Sequence, residues 1–308
     1  MRDRYLAGHL SLLAFALTGA AWAAAICGCA SAGSSRAPAD EPLEVIDAHV
    51  HTNFDNKFYN VGKVMHSKEE LVAEMKRNHV VGAVSMNHAG DAYADLSDLN
   101  IINCAGLAAT VDVAGLEDGL ASRRYRCIKI YLGYVHQYAF DRNYEPAYEL
   151  AEKYHVPVVF HTGDTDSRQA MLKYADPLTV DEVAVSHPKV TFVLAHAGNP
   201  WIESAAEVAY KNPNVFLDGS AFVIGDLKQT PPEQIETYLV KPVRWIFDYV
   251  GDPTKLMFGT DWPLTDIGPY LEAFRRAIPR EHWKAVFHDN AARVYGLDKP
   301  TRGQGAPR

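Results

Sequence analysis

The sequence has little cysteine and no excess of positive charge. Only 4 of its 308 residues are cysteine, and 30 Lys and Arg residues stand against 38 Asp and Glu residues, which gives a net charge of -8. This acidic balance argues against a nucleic-acid-binding protein, and also against one that binds anionic membranes through a basic face. The hydrophobic fraction of 48% and the charged fraction of 22% exclude a disordered chain.

The motifs of two common enzyme classes are absent as well. No Gly-rich phosphate-binding motif follows the first predicted strand, which argues against an open, doubly wound nucleotide-binding sheet. No Gly-x-Ser-x-Gly motif occurs, so a serine hydrolase of that type is disfavoured. The sequence also has no internal repeat and shows no sign of a second globular domain.

One long apolar run lies near the N-terminus. Arg2 and Arg4 precede an uncharged stretch from Tyr5 to Ile26 that is rich in Leu, Ala and Phe. A basic start followed by an apolar stretch is typical of a secretory signal. A run of about 20 apolar residues is also long enough for a transmembrane anchor. The residues that end the run decide between the two.

Those residues, Ile26-Cys27-Gly28-Cys29-Ala30-Ser31, resemble the lipobox of bacterial lipoproteins. Cys29 follows a small residue, as a lipobox requires, whereas Cys27 follows Ile26. We therefore expect a signal peptide over residues 1–28, a lipid on Cys29, and a flexible tether over residues 29–43. The protein would lie in the bacterial cell envelope and attach to the membrane only through this anchor. A cleaved or retained apolar segment without lipid is the alternative.

Two cysteines, Cys104 and Cys127, lie in the body of the chain. In an oxidising compartment they could form a disulfide. Both lie in strand-like runs, which favours two buried free thiols instead.

From residue 44 onward, short β-branched runs alternate with helical stretches. Strands are predicted over residues 44–50, 80–86, 101–107, 126–131, 157–161, 190–195, 214–218 and 255–259. Most are continuously apolar, as expected for parallel strands covered on both faces. Eight strand–helix units predict a single α/β domain, a (β/α)8 TIM barrel over residues 44–297, followed by a disordered tail over residues 298–308.

Helices are predicted between these strands. The clearest covers residues 67–78, where Ser67 is an N-cap residue and Glu70 completes a capping box. The others cover residues 144–154, 201–211 and 232–249.

Polar residues follow several of the predicted strands at their C-terminal ends, where barrel enzymes carry their active sites. His49 and His51 close the first strand, and their i, i+2 spacing directs both side chains to one face. His161, His196 and Asp261 follow the fifth, sixth and eighth strands, and Lys129 lies in the fourth. Imidazoles with a carboxylate suit a borderline divalent ion such as Zn²⁺, with a coordination position left for an activated water.

Four segments together resemble the amidohydrolase superfamily, and the amidohydrolase-related branch most closely. They are His49-Val50-His51 after Ile46-Asp47-Ala48, His161-Thr162-Gly163, His196-Ala197-Gly198, and Gly259-Thr260-Asp261-Trp262-Pro263. The closing segment, residues 288–296, also resembles the last helix of that branch. The resemblance covers residues 44–297. It implies a metal-dependent TIM-barrel enzyme from a branch that holds small-molecule hydrolases, lactonases and nonoxidative decarboxylases.

The resemblance also implies roles for individual residues. His49, His51, His161 and Asp261 would be metal ligands, and Asp261 would accept the proton of the activated water. His196 would bind a second metal or act as an acid/base and substrate-orienting group. Lys129 would either bridge two metals as a carboxylated lysine or act as a cation that faces the substrate or Asp261. The expected cofactor is Zn²⁺, as one ion, with a second left open.

Other residues near the predicted mouth have weaker signals. Tyr131, Tyr134 and His136 follow the fourth strand and are expected to bind substrate, although an aromatic loop of this kind can equally be a packed lid. Trp262 is placed with them and also shapes the turn behind Asp261. Asp218 either contacts the mouth or caps a helix. Surface or helix-end positions are expected for His66, His79, His88, His155, His187 and His282.

The leading hypothesis is a metal-dependent hydrolase of a C–N, C–O or lactone bond in a small molecule, with a homo-oligomer left open. The alternative is a metal-dependent nonoxidative decarboxylase on the same fold. A decarboxylase needs a cationic group for its substrate carboxylate; no arginine lies at a strand end, although Lys129 could serve. A noncatalytic surface lipoprotein is the third hypothesis, and the intact polar set argues against it.

Overall fold

The computed structural model describes residues 42–54, 66–90 and 94–297. The predicted signal peptide, the lipidation site Cys29 and the C-terminal tail lie outside these residues, as does most of the predicted tether. The predictions made for them therefore remain predictions.

Eight parallel strands form one sheet in the order in which they occur along the chain. They are β1 (Val45–Val50), β2 (Val80–Met86), β3 (Ile101–Leu107), β4 (Cys127–Ile130), β5 (Val158–His161), β6 (Phe192–Ala195), β7 (Val215–Asp218) and β8 (Leu256–Met257). Consecutive strands are joined by crossovers that contain helices. The (β/α)8 barrel predicted from the sequence is confirmed.

Ten α-helices lie within the described residues. They are α1 (Lys68–Arg77), α2 (Val113–Ala121), α3 (Leu132–Val135), α4 (Glu145–Tyr154), α5 (Thr179–Ser186), α6 (Ile202–Lys211), α7 (Pro232–Ile235), α8 (Lys241–Val250), α9 (Ile267–Ala277) and α10 (Asn290–Tyr295). The predicted capping box of α1 is present: Ser67 Oγ accepts from the Glu70 amide at 3.2 Å, and the Glu70 carboxylate accepts from the Ser67 amide at 2.7 Å. None of these helices is long and apolar enough to cross a bilayer.

Successive side chains of each strand point to opposite faces of the sheet, so the core has two layers. One set of side chains, such as Ile128 and Phe160, packs between the sheet and the helices. The other set, such as Val159 and Val193, packs together with α10 residues such as Tyr295. Both faces of each strand are therefore buried, which explains the continuously apolar runs of the sequence.

The barrel closes between β1 and the segment that follows β8. The Ala48 amide donates to the Phe258 carbonyl at 2.9 Å, and the Asp261 amide donates to the His49 carbonyl at 2.8 Å. The buried Asp47 carboxylate accepts from the Thr260 amide at 2.9 Å and from the Thr260 hydroxyl at 2.6 Å. This seam brings His49 and Asp261 together, although they are far apart in sequence.

The prediction of two free thiols was wrong, because Cys104 and Cys127 form a disulfide. The two residues are direct partners in the register of β3 and β4, and both sulfurs lie on the same face of the sheet. Strand-like sequence runs reveal that two cysteines are buried, but they do not reveal that the strands are neighbours in this register.

The disulfide predicts a measurable contribution to stability. A closed loop of this length in the unfolded chain typically contributes about 2–4 kcal/mol to the free energy of unfolding. The variant carrying Cys104→Ala and Cys127→Ala should lose about this amount in urea denaturation. Peptide mapping without reductant should recover the two cysteines in one cross-linked fragment; full alkylation of both thiols in the unreduced protein would contradict the assignment.

Candidate active site

The six polar residues predicted from strand ends converge at one end of the barrel. His49 belongs to β1 and His51 follows it, His161 ends β5, and His196 and Asp261 follow β6 and β8. Five of the six, including Lys129 in β4, are buried, and His161 is half-buried. Parallel strands of a barrel end at one rim, so residues that are distant in sequence meet there.

His49, His51 and Asp261 form the first part of the cluster. Asp261 Oδ1 lies 3.0 Å from His51 Nε2 and 3.4 Å from His49 Nε2. Burial opposes ionisation of Asp261, but His49 and His51 together hold the pKa of its carboxyl well below the usual value. Asp261 is therefore an ionised carboxylate at neutral pH.

His161 and His196 form the second part. His196 Nε2 lies 3.1 Å from His161 Nδ1, and the ring centroids of His196 and His49 are 4.8 Å apart, which joins the two parts. Burial lowers the pKa of His196 to about 3 and the pKa of His161 well below its usual value. Both imidazoles are therefore neutral near pH 7.

The donor atoms suit a divalent cation. His161 Nε2 lies 2.8 Å from the Asp164 carbonyl, which can only accept, so Nε2 carries the proton and Nδ1 presents a lone pair to His196. His49 Nδ1 lies 2.8 Å from the Asp218 carboxylate, so the His49 lone pair lies on Nε2 and faces the Asp261 carboxylate. A lone pair and a carboxylate that face each other repel, and a cation bound between them would remove this repulsion.

The separations agree with this interpretation. Ligand atoms about 2.0–2.1 Å from a tetrahedral Zn²⁺ stand about 3.3 Å apart. The corresponding contacts here range from 3.0 to 3.4 Å. The residues present therefore fit the divalent metal implied by the sequence.

Four residues at this rim other than glycine have left-handed backbone conformations. They are His196 (φ 60°), Ala197 (φ 41°), Ala221 (φ 53°) and Asp261 (φ 67°). Each such conformation costs on the order of 1–3 kcal/mol and must be held in place by the surrounding structure. Two of the four are candidate ligands, so the strain coincides with the cluster.

Lys129 lies in β4 among the same residues. Its side chain is fully buried, its Nζ has no hydrogen-bond partner in the described part of the chain, and it lies 5.1 Å from the centroid of the Tyr131 ring. Burial lowers its pKa to about 8, although Asp218 and Asp261 oppose the shift. A fraction of this lysine is therefore uncharged near neutral pH, as carboxylation requires.

A cavity of about 550 Å³ opens over the cluster. Tyr131 and Tyr134, both predicted to bind substrate, line it together with the apolar side chains of Phe222, Ile224 and Leu264. The Tyr131 hydroxyl donates to the Met86 carbonyl at 2.9 Å, so this residue presents its ring to the cavity. The Tyr134 hydroxyl accepts from the Asp166 amide at 3.0 Å and keeps its own proton for another acceptor.

The other two residues predicted to bind substrate lie elsewhere. His136 is exposed on the turn after α3, where its ring contacts the Gln169 carbonyl at 2.8 Å. Trp262 is buried against Phe54 and His66 and does not line the cavity. The turn that places Asp261 in the cluster directs the next side chain away from the mouth.

The prediction of a surface position for His88 was wrong. Its ring stacks on Tyr131 with centroids 4.2 Å apart, and it lines the cavity beside His51. His88 lies two residues beyond β2, so the strand-end criterion that found the candidate ligands also applies to it. Sequence analysis also missed Ser220 and left the role of Asp218 open; both contact candidate ligands.

A (β/α)8 barrel with buried histidines and an aspartate at its C-terminal rim defines a class of metal-dependent enzymes. The amidohydrolase family profile matches residues 46–297 of the sequence. The chain therefore belongs to the amidohydrolase family.

Solved structures share the barrel at low sequence identity. An amidohydrolase from Burkholderia multivorans with bound zinc is 18% identical, with a TM-score of 0.61 and coverage of 83% of this chain and 100% of that chain. A protein described as a probable 2-pyrone-4,6-dicarboxylic acid hydrolase from Acinetobacter baumannii is 14% identical, with a TM-score of 0.57 and coverage of 82% and 100%.

A dihydroxybenzoic acid decarboxylase from Polaromonas sp. with bound manganese is 15% identical, with a TM-score of 0.56 and coverage of 82% and 97%. No curated protein sequence matches the chain. These similarities support the fold.

The cluster predicts that metal binding depends on both strand-one histidines. His49→Ala and His51→Ala should each weaken metal binding by orders of magnitude, because each removes one imidazole from a buried set, while circular dichroism should show an intact barrel. Metal analysis of the parent protein also counts the ions per chain. Full metal content in both variants would contradict the ligand assignment.

Proposed function

We propose that the protein is a metal-dependent hydrolase that cleaves a C–N, C–O or lactone bond in an uncharged small molecule. The charge of the side chains that line the cavity supports this proposal. Apart from the candidate ligands, the lining contains Asp164 and Asp166, and no Lys or Arg from residues 42–54, 66–90 or 94–297. A substrate carboxylate would therefore meet acidic side chains, whereas an ester, amide or lactone carries no charge that they repel.

In this proposal His49, His51, His161 and Asp261 would hold Zn²⁺, and His196 would complete the set or hold a second ion. A divalent ion bound there polarises a carbonyl group and lowers the pKa of a water molecule. Lys129 would bridge two ions if carboxylated, and otherwise it remains a buried cation beside Asp261.

Other steps, namely proton transfer and substrate binding, are assigned to individual side chains. Asp261, an ionised carboxylate, accepts the proton of the attacking water and returns it to the leaving group. Burial raises the pKa of Tyr134 to about 12, so its hydroxyl remains a neutral donor that can bind a substrate oxygen. The rings of Tyr131 and His88 provide a stacked wall for a planar group, and Phe222 provides an apolar surface.

Nonoxidative decarboxylation is the second candidate. The buried Lys129 favours it, because this amino group has no hydrogen-bond partner among the described residues and could pair with a substrate carboxylate. Against it, Lys129 does not line the cavity. Assays with uncharged lactones, esters and amides, beside aromatic carboxylic acids monitored for CO₂ release, separate the two reactions.

Asp261→Asn tests the hydrolytic mechanism. The variant keeps the size of the side chain and one ligating oxygen but loses the base, so kcat should fall by about 10²–10⁴-fold while metal is partly retained. Asp98→Asn, an exposed position before β3, is the matched control and should keep parental activity. Near-parental activity of metal-loaded Asp261→Asn would assign the proton transfer to His196 and would favour decarboxylation.

We also propose that the protein is exported and lipid-anchored through Cys29. The Cys104–Cys127 disulfide supports an oxidising compartment, since structural disulfides persist mainly outside the cytosol. Cys29→Ala should accumulate as unprocessed precursor, whereas Cys27→Ala should still be lipidated. Mass spectrometry of the N-terminal peptide tests this, and a diacylglyceryl group on Cys27, or on neither cysteine, would refute it.

A further inference from the structure

Strand β7 contributes none of the ligands predicted from the sequence, yet its last residue, Asp218, lies close to two of them, His49 and His196. Asp218 is fully buried, and its Oδ2 lies 2.8 Å from His49 Nδ1. Its Oδ1 accepts from the Ser220 amide at 2.9 Å and from the His196 amide at 3.3 Å. Backbone amides can only donate, so the two amides at Oδ1 mark Asp218 as a hydrogen-bond acceptor.

Ser220 extends the network to the His196 ring. Its hydroxyl forms a short hydrogen bond with Asp218 Oδ1 and lies 2.9 Å from His196 Nδ1. Because the carboxylate can only accept, the serine proton points to Asp218, and the serine oxygen accepts from His196 Nδ1. His196 Nδ1 therefore carries a proton, and the lone pair of its neutral ring lies on Nε2.

We propose that Asp218 and Ser220 are positioning residues that fix the tautomers of His49 and His196 and thereby direct both Nε2 atoms toward the metal. Asp218 acts on His49 directly and on His196 through Ser220. One carboxylate on β7 thus orients rings supplied by β1 and β6. The inference rests on the metal site of the proposed function, and it does not depend on which reaction that site catalyses.

A neutral imidazole has two tautomers, and only one of them presents a lone pair at Nε2. If the proton moves to Nε2, the ring presents an N–H group to the cation instead of a lone pair. Loss of a partner that fixes the ring in this way typically costs about 10–100-fold in metal affinity. Ser220→Ala should therefore weaken Zn²⁺ binding by this factor without removing any ligand.

Ser85→Ala is the matched control. Ser85 is fully buried in β2 beside β1, and its hydroxyl contacts the side chains of Thr52 at 2.7 Å and Asn87 at 3.2 Å, neither of which is a candidate ligand. Both variants remove one buried hydroxyl, so they carry similar risks to folding. Only Ser220→Ala should change Zn²⁺ affinity, measured by competition with a chelator.

The decisive measurement uses the full-length, metal-free protein. Two-dimensional ¹⁵N–¹H spectra of the imidazole rings should show His49 and His196 of the parent as Nδ1–H tautomers. Ser220→Ala should give mixed tautomers at His196 and leave His49 unchanged, whereas Asp218→Asn should affect both rings. If Asp218→Asn does not fold, the tautomer of His196 in Ser220→Ala tests the inference by itself.

An unchanged His196 tautomer in Ser220→Ala, or equal losses of Zn²⁺ affinity in Ser220→Ala and Ser85→Ala, would overturn the inference. A parent protein that shows the expected tautomers but binds no Zn²⁺ would instead refute the proposed function and support the hydrogen-bond network. The two failures are therefore distinguishable.

Discussion

Closure of the barrel is the constraint on which the candidate site depends. Asp47 on β1 accepts two hydrogen bonds from Thr260 beyond β8, and backbone hydrogen bonds continue the seam on both sides. An open sheet would leave its first and last strands at opposite edges, with His49 and Asp261 far apart. In the closed barrel, the Asp261 amide donates to the His49 carbonyl. The hydrogen bonds that close the barrel therefore also bring His49 and Asp261 together.

Burial then sets the protonation states of the residues that barrel closure brings together. An unpaired charge or polar atom inside a protein is costly, so each buried group either finds a partner or changes its protonation state. Asp218 is kept ionised by its contacts with His49, whereas burial favours the neutral forms of His161 and His196. The result is a set of lone pairs and carboxylates that face one another at 3.0–3.4 Å.

Much of this arrangement was predictable from the sequence, because strand periodicity and strand ends are local features. The eight apolar runs located the strands, and the polar residues at their ends located the cluster. Local patterns do not encode which strands are in register, so the pairing of Cys104 with Cys127 was missed. They also do not encode the direction of side chains after a strand ends, which is why Trp262 and His136 lie outside the cavity while His88 lines it.

The aromatic part of the cavity wall comes from strands that carry none of the histidine or aspartate candidate ligands. Those ligands lie at the ends of β1, β5, β6 and β8, whereas His88 and the two wall tyrosines follow β2 and β4. The two sets are nevertheless in contact, because His88 stacks on His51 and Tyr134 packs edge-on against His161. A substitution after β2 or β4 would therefore change the shape of the cavity and the positions of the neighbouring candidate ligand rings together. Substrate fit and ligand geometry are coupled at this rim.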